Sequence, residues 1–320
     1  MKQQPIKFVP IIKEKIWGGQ KLKTLLGKEL GSLPNGGESW ELSAVKGDVS
    51  VIAPGPLKGM PLDKAIETYG ADLVGKKVYA RHGNDFPLLI KFIDASDNLS
   101  VQVHPDDKMA KERHNSFGKT EMWYVLANDE GAQLTSGFAR EIKKDDYQHL
   151  LDTNQFVDTL NHITVQRGDV FFIPSRRIHA IGKGVMVAEI QQTSDITYRV
   201  FDYNRRDAQG NTRELHVDAA KEALDFSDTE SGKREYSLTT NQRTEIVNCP
   251  FFNTGIVAVE GSCKRDYSNI DSFVILICVK GSVVADGVEI KCGQTALVPA
   301  CSDGLTLTST ENSEVLEVYI

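Results

Sequence analysis

The chain has 320 residues, of which 40% are hydrophobic and 25% are charged, and its net charge is −7 at pH 7. These values are typical of a globular protein of about two domains, and they exclude a disordered chain, a collagen-like fibre and a coiled coil. No apolar run reaches the ~20 residues of a membrane span, and no basic block favours a nucleic-acid partner. Because the first ten residues lack the apolar stretch of a signal peptide, we expect a cytoplasmic protein with neither a membrane nor a nucleic-acid partner.

Cysteine and histidine divide the chain. All five cysteines lie between Cys249 and Cys301, and all seven histidines lie between His82 and His216. An odd number of cysteines without a C-x-x-C pair favours free thiols in a reducing compartment. Any chemistry that needs imidazole therefore belongs to the first part of the chain.

Most of the sequence predicts short strands separated by Gly, Pro, Asn and Asp. Helical periodicity is confined to Pro61–Tyr69, to one or two helices within residues 140–160, and to His216–Leu224. Six strands are predicted: Phe86–Ile93, Glu121–Leu126, Asp169–Pro174, Val185–Gln191, Phe273–Val279 and Gln294–Pro299. Strands at this spacing are typical of a sandwich or a barrel rather than of a parallel βαβ sheet.

An internal repeat indicates two related barrels. Gly168–Pro174 and Gly293–Pro299 share a Gly that turns into a strand, an alternating apolar pattern, and a Pro that ends the strand. The stretch Ser227–Glu235 contains no apolar residue and predicts a linker. We therefore expect a domain over residues 1–235 and a smaller one over residues 236–320.

Four residues of the first part could bind a metal ion. Side chains alternate along a strand, so Gln102 and His104 should point to the same side. Glu121 lies in an apolar strand, where a buried carboxylate is costly unless it is paired or bound to a metal. With His179, which follows Pro174 by five residues, they would suit Zn²⁺ or a similar divalent ion. Taken alone, either histidine is more simply a hydrogen-bonded core or rim residue.

The spacing of these four residues resembles the two-part cupin signature, in which Gly168 and Pro174 precede His179. Gln102 stands where cupins usually have a first histidine. The second repeat has Gly304 where the histidine should be, so its barrel should be metal-free and structural. The resemblance implies a mainly β fold of two cupin-like β-barrels (jelly rolls), with a few helices inserted in the N-terminal domain.

A narrower resemblance covers most of residues 1–225. The blocks Leu99–Asp106, Gly118–Glu121 and Gly168–Arg199 resemble the class I (type I) mannose-6-phosphate isomerases, in their short bacterial form. This resemblance implies an aldose–ketose isomerase that interconverts mannose 6-phosphate and fructose 6-phosphate through a cis-enediol(ate). It also implies one Zn²⁺ per chain, a sugar phosphate as the small-molecule partner, and a monomer or weak homodimer.

The resemblance assigns roles residue by residue. The metal ligands carry over as Gln102, His104, Glu121 and His179. The active-site residues carry over as Lys91, Ser100, Lys119, Glu189 and Arg199.

The chemistry of isomerisation agrees with these residue types. Arg199 and Lys119 would offer positive charge to a phosphate or to a developing enediolate, and Lys91 and Ser100 would complete the phosphate site. Glu189, flanked by apolar residues, is a candidate for the proton-transfer base, alongside a histidine or a metal-bound water. Without the resemblance, the lysines would be read as ordinary surface residues.

Two other functions remain open from the sequence. One is an iron-dependent cupin enzyme, and the other is a non-catalytic cupin that binds sugar phosphates. The lysines and arginine argue against an oxygenase, which has no use for a phosphate clamp. The presence of Glu189 together with all four metal ligands argues against the non-catalytic cupin. Trp17 and Trp40 are expected to pack in the core or at the rim, with lining of a sugar pocket as the alternative.

Overall fold

The computed structural model describes residues 4–207 and 209–320. Within these residues the chain forms 21 strands and seven α-helices. The strands are β1 (Ile6–Val9), β2 (Ile11–Gly19), β3 (Gly36–Leu42), β4 (Val51–Ile52), β5 (Leu88–Asp94), β6 (Val101–Val103), β7 (Glu121–Asn128), β8 (Gln133–Phe138), β9 (Leu160–Thr164), β10 (Val170–Ile173), β11 (His179–Ile181), β12 (Val185–Gln192), β13 (Tyr198–Phe201), β14 (Lys233–Arg234), β15 (Arg243–Asn248), β16 (Asn253–Asp266), β17 (Val274–Lys280), β18 (Ser282–Ala285), β19 (Val288–Lys291), β20 (Thr295–Val298) and β21 (Gly304–Tyr319). All six predicted strands are confirmed, with ends that differ by at most two residues.

The helices are short. They are α1 (Lys21–Thr24), α2 (Leu62–Tyr69), α3 (Ala71–Val74), α4 (Lys76–His82), α5 (Asp107–His114), α6 (Tyr147–Asp152) and α7 (Val217–Ala223). The predicted helices correspond to α2, to α6 with two flanking 3₁₀ turns, and to α7. Helix α5 has no apolar stripe that periodicity could detect, and Asp106 caps it by accepting a hydrogen bond from Met109 N–H at 2.9 Å. Among the described residues, no helix is long and apolar enough to cross a membrane.

The described strands form three antiparallel sheets of nine, seven and five strands. The central sheet has the order β14-β10-β7-β12-β5-β3-β2, and the outer sheet has the order β13-β6-β11-β8-β9. The C-terminal sheet follows the path β15-β16-β21-β17-β20-β1-β4, with β18 and β19 attached. This mainly β architecture of cupin-like sheets confirms the predicted fold class.

Alternation along the strands gives the central sheet two different faces. In β12, Met186, Ala188 and Ile190 pack against the C-terminal sheet. Val185 and Val187 face the outer sheet, and their face also carries Glu189, because side chains two residues apart share a face. The polar residues of the site therefore lie between the central and outer sheets and are surrounded by apolar side chains.

The C-terminal sheet encloses a separate apolar interior, which includes Val257, Leu276, Ile290 and Leu307. None of the five cysteines forms a disulfide within the described residues. Strand β1 belongs to this sheet, because Ile6 pairs with Leu297.

The division at residue 235 stays a prediction. The expected linker is anchored, since β14 pairs with β10 and Arg177 donates two hydrogen bonds to Asp228, at 2.7 and 2.8 Å.

Candidate active site

Three of the four predicted metal ligands meet at one point. His104 follows β6, Glu121 begins β7 and His179 begins β11, and all three are buried. The two Nε2 atoms lie 3.1 Å apart, and each is 3.5 Å from a Glu121 carboxylate oxygen. One ligand atom from each residue falls within 4.8 Å of the others, so the three could hold a single metal ion.

The protonation of both imidazoles suits metal binding. His104 Nδ1 donates to the carbonyl of Ile196 at 2.8 Å, and His179 Nδ1 donates to the carbonyl of Arg177 at 2.9 Å. A carbonyl can only accept, so each proton lies on Nδ1 and each Nε2 keeps a lone pair for a metal. Burial and the nearby charge of Lys119 lower the pKa of His104 well below its ordinary value, and burial and Lys119 lower the pKa of His179 to about 3.

Glu121 lacks the partners that a buried carboxylate needs. Lys119 Nζ lies 2.8 Å from Oε2, yet neither carboxylate oxygen has a well-oriented hydrogen bond within the described part of the chain. Burial and the negative charge of Glu189 raise the pKa of Glu121 to about 7. A divalent cation would satisfy these oxygens and separate the two imidazole lone pairs. The residues therefore fit a metal ion.

Gln102, the fourth predicted ligand, lies beside the triad. It pairs with His179 across β6 and β11, and its Nε2 is 3.3 Å from His179 Nε2. Ser100 Oγ donates to Gln102 Oε1 at a distance of 3.5 Å. Ligation through Oε1 requires the opposite orientation of the amide, so a ligand role for Gln102 stays a prediction.

A cavity of about 320 Å³ opens next to the triad. Every predicted active-site residue lines it, together with Gln102 and both N-terminal tryptophans: Trp17, Trp40, Lys91, Ser100, Gln102, Lys119, Glu189 and Arg199. The cavity thus brings together side chains from both sheets.

Glu189 is held by two donors on neighbouring strands. It faces Lys91 across β5 and Trp123 across β7. Lys91 Nζ lies 3.0 Å from Oε1, and Trp123 Nε1 donates to Oε2 at 3.1 Å. Burial alone would raise the pKa of Glu189, but the positive charges of Lys91 and Lys119 outweigh burial and lower this pKa to about 2. Glu189 is therefore ionised at neutral pH.

Lys119 touches the triad directly. Its Nζ lies 3.0 Å from His104 Nε2 and 2.8 Å from Glu121 Oε2, and the side chain is almost fully buried. It is thus the cation closest to the point where the metal ligands converge.

Arg199 brings a second positive charge to the cavity, on β13 opposite Gln102. Its Nη1 donates to the carbonyl of Glu214 at 2.7 Å, while its buried Nε has no partner within residues 4–207 and 209–320. Burial and the adjacent charge of Arg213 lower the pKa of Arg199. An anion bound here would relieve the repulsion between these two arginines.

Several residues that line the cavity were not predicted as site residues from the sequence: Lys15, Glu38, Asp195, Thr197 and Arg213. Glu38 offered the best signal, because it shares a strand face with Trp40. Trp40 Nε1 donates to Glu38 Oε2 at 2.6 Å, and Lys15 Nζ lies 3.2 Å from Oε1. Lys15 lies in β2, at the edge of its sheet, and Asp195, Thr197 and Arg213 lie in loops, where no periodicity marks them.

Known proteins are similar to this chain in sequence and in fold. Residues 6–136 match the family model for the catalytic domain of type I phosphomannose isomerase. A mannose-6-phosphate isomerase from Streptococcus mutans is 38% identical over 289 residues, which cover 88% of this chain and 87% of that protein.

Solved structures agree with the sequence match. The crystal structure of the mannose 6-phosphate isomerase from Bacillus subtilis has a TM-score of 0.88 at 30% identity, covering 99% of this chain and 100% of that one. A mannose 6-phosphate isomerase bound with zinc and yttrium has a TM-score of 0.75 over 98% of this chain and 99% of that one. At 16% identity, this second likeness shows the shared fold alone. The chain belongs to the type I phosphomannose isomerase family and is an isomerase of that family.

Proposed function

We propose that this chain interconverts mannose 6-phosphate and fructose 6-phosphate through a cis-enediol(ate), with one Zn²⁺ bound per chain. The observation that carries the proposal is the buried triad of His104, Glu121 and His179, beside a cavity that holds Lys119, Arg199 and an ionised Glu189. Family membership makes this reaction the first to test. The two relatives named above that match at 30% identity or more are mannose-6-phosphate isomerases.

His104, Glu121, His179 and Gln102 would hold the zinc ion. Two imidazoles, one carboxylate and one amide oxygen are donors that suit Zn²⁺, and they leave a formal net charge near +1. When bound, the ion supplies positive charge that can polarise a carbonyl or a water molecule.

Glu189 would carry the proton between C1 and C2 of the open-chain sugar. Its carboxylate lines the cavity and is ionised at neutral pH, so it can accept a proton. Lys91 and Trp123 fix both oxygens and so orient the group. Because these contacts weaken the base, a substrate that draws Lys91 towards itself would raise the proton affinity of Glu189.

The cations would stabilise negative charge on the substrate. Lys119, adjacent to the triad, would face the oxygens that become negative in the enediolate. Arg199, with its unpartnered Nε–H, would bind the phosphate or the enediolate through its forked donors. Lys91 and Ser100 would complete the phosphate site.

We also propose a cytoplasmic protein that acts as a monomer or weak homodimer. One chain supplies the metal triad and all the cavity residues assigned to the site. Size-exclusion chromatography with light scattering would test the assembly, and a stable tetramer would contradict it.

A coupled assay of mannose 6-phosphate conversion tests the reaction and the metal together. We expect activity to disappear on chelation and to return best with Zn²⁺. Best recovery with Fe²⁺ would support an iron-dependent cupin instead. Binding of mannose 6-phosphate without conversion by the metal-loaded protein would support a non-catalytic sugar-phosphate-binding protein.

A further inference from the structure

The position of Lys119 depends on residues outside the metal triad. The regular pairing of β7 with β12 begins at Glu121, so it does not include the segment Gly118–Thr120 that precedes this strand. Lys119 nevertheless keeps its Nζ within 3.0 Å of His104 Nε2 and 2.8 Å of Glu121 Oε2. Other hydrogen bonds must therefore hold this backbone in place.

Gln192, the last residue of β12, holds both backbone groups of Thr120. Its Oε1 accepts from Thr120 N–H at 2.8 Å, and its own N–H donates to the Thr120 carbonyl at 3.1 Å. Its Nε2 donates to Asp107 Oδ1 at 2.9 Å. A backbone N–H can only donate and a carboxylate can only accept, so the amide has a single satisfactory orientation. Gln192 is 6% exposed, and the bond that its Oε1 accepts from Thr120 is thus shielded from water.

Asp107 holds the other end of the segment. The same Oδ1 accepts from Gly118 N–H at 2.9 Å, and Lys119 N–H donates to the carbonyl of Pro105 at 3.2 Å. A Cβ at Gly118 would lie 2.6 Å from Asp107 N, so the segment is pressed against the start of α5. Three successive N–H groups are therefore satisfied, and two of them depend on the Asp107–Gln192 pair.

We infer that Gln192, together with Asp107, is a positioning residue that holds Lys119 against the substrate site. The inference rests on the proposed function. Neither residue lines the active-site cavity, and both line another cleft, of about 630 Å³. They therefore act on the reaction through the Gly118–Thr120 backbone and make no contact with the substrate.

A double-mutant cycle tests the inference, with Gln192→Met to keep the volume and Lys119→Met to remove the amine. We expect Gln192→Met to lower kcat/KM by about 10- to 100-fold, as losses of supporting hydrogen bonds around a site commonly do. In the Lys119→Met background the same change should cost less than about three-fold, because the group it positions is gone. Asp107→Ala, at an exposed residue, should act in the same direction with the same dependence on Lys119.

Gln294→Met is the matched control. Its Oε1 accepts from Lys291 N–H at 3.1 Å and from Lys7 Nζ at 2.6 Å, so it loses the same kind of bond far from the site. Activity of this control should match the wild type, with all assays at equal metal content. Unchanged activity of Gln192→Met, or equal losses with and without Lys119, would overturn the inference. An inactive wild type would instead overturn the proposed function.

Discussion

The two barrels differ in the hydrogen bonds that they provide to a buried carboxylate. Between the central and outer sheets, Glu121 is 0% exposed and its oxygens lack oriented hydrogen bonds within the described residues. In the C-terminal sheet, Glu317 is 1% exposed, but Arg265 donates two hydrogen bonds to it, at 2.8 and 2.9 Å, and Tyr267 donates a third at 2.6 Å. Most buried polar atoms in proteins are hydrogen-bonded, and an unsatisfied carboxylate beside two imidazoles is explained by a bound ion. The contrast therefore separates a structural ion pair from a binding site.

Removing the carboxylate of Glu121 should give the largest effect. We expect Glu121→Gln to lose bound metal and more than about 100-fold of its activity, because it removes the only anionic ligand of the described triad. Metal analysis and the coupled assay would measure both losses. Without metal, this variant should lose less stability than Glu317→Gln does, since the carboxylate that it removes has no oriented hydrogen bond to lose within the described residues. A marked drop in its stability would break the comparison.

Glu189→Gln should lower kcat by about 100- to 10,000-fold, the usual range for a lost general base. Its metal content should stay unchanged, because Glu189 lies outside the triad. Steady-state kinetics with metal analysis would check this. Full activity in the variant would remove Glu189 from the mechanism.

Glu317→Gln should affect stability and leave the reaction intact. The amide leaves Arg265 without its charge partner in a half-buried setting, which should cost about 3 kcal/mol of unfolding free energy. Denaturant unfolding would measure the cost, while kcat of the folded variant should equal that of the wild type. A fall in kcat without a fall in stability would show that the C-terminal barrel takes part in the chemistry.

Gly304→Ala should give the smallest effect of the set. Gly304 occupies the place that His179 has in the first repeat, and a Cβ there would lie 2.3 Å from the carbonyl oxygen of Arg265. The strand must shift to admit a methyl group, at about 1–3 kcal/mol. A thermal melt would show this loss with unchanged activity. An unchanged melting temperature of the variant would mean that the second barrel can accept a side chain at the position where the first barrel carries a metal ligand.

The triad of His104, Glu121 and His179 was predictable because the spacing of these residues resembles the cupin signature, whereas either histidine alone would have been interpreted as a core or rim residue. The pairing of Lys91 with Glu189 could not be predicted in the same way. Both lie in apolar strands, but their contact depends on the register between β5 and β12, which only the assembled sheet sets. The positioning role of Gln192 could not be predicted from the sequence, since a glutamine at the end of a strand is usually solvated.

The fold was likewise predictable where local sequence patterns determine it, and not where it depends on contacts between distant residues. Alternation and turn residues located the strands near Val185 and Phe273, and the repeat indicated two barrels. The membership of β1 in the C-terminal sheet has no local cause in the sequence. It follows from the pairing of Ile6 with Leu297, a contact between residues far apart in the chain.

That pairing has a consequence for how the protein folds during synthesis. The ribosome releases β1 early, yet its partner β20 emerges only after both barrels are nearly complete. Until then, the edge of β1 that β20 will occupy presents unpaired backbone groups that could pair with other chains, even where the other edge pairs with β4. Closure of the C-terminal sheet is thus a late step, because β1 and β20 are far apart in the chain. Truncation within β20 should leave one edge of β1 unpaired and prone to aggregation.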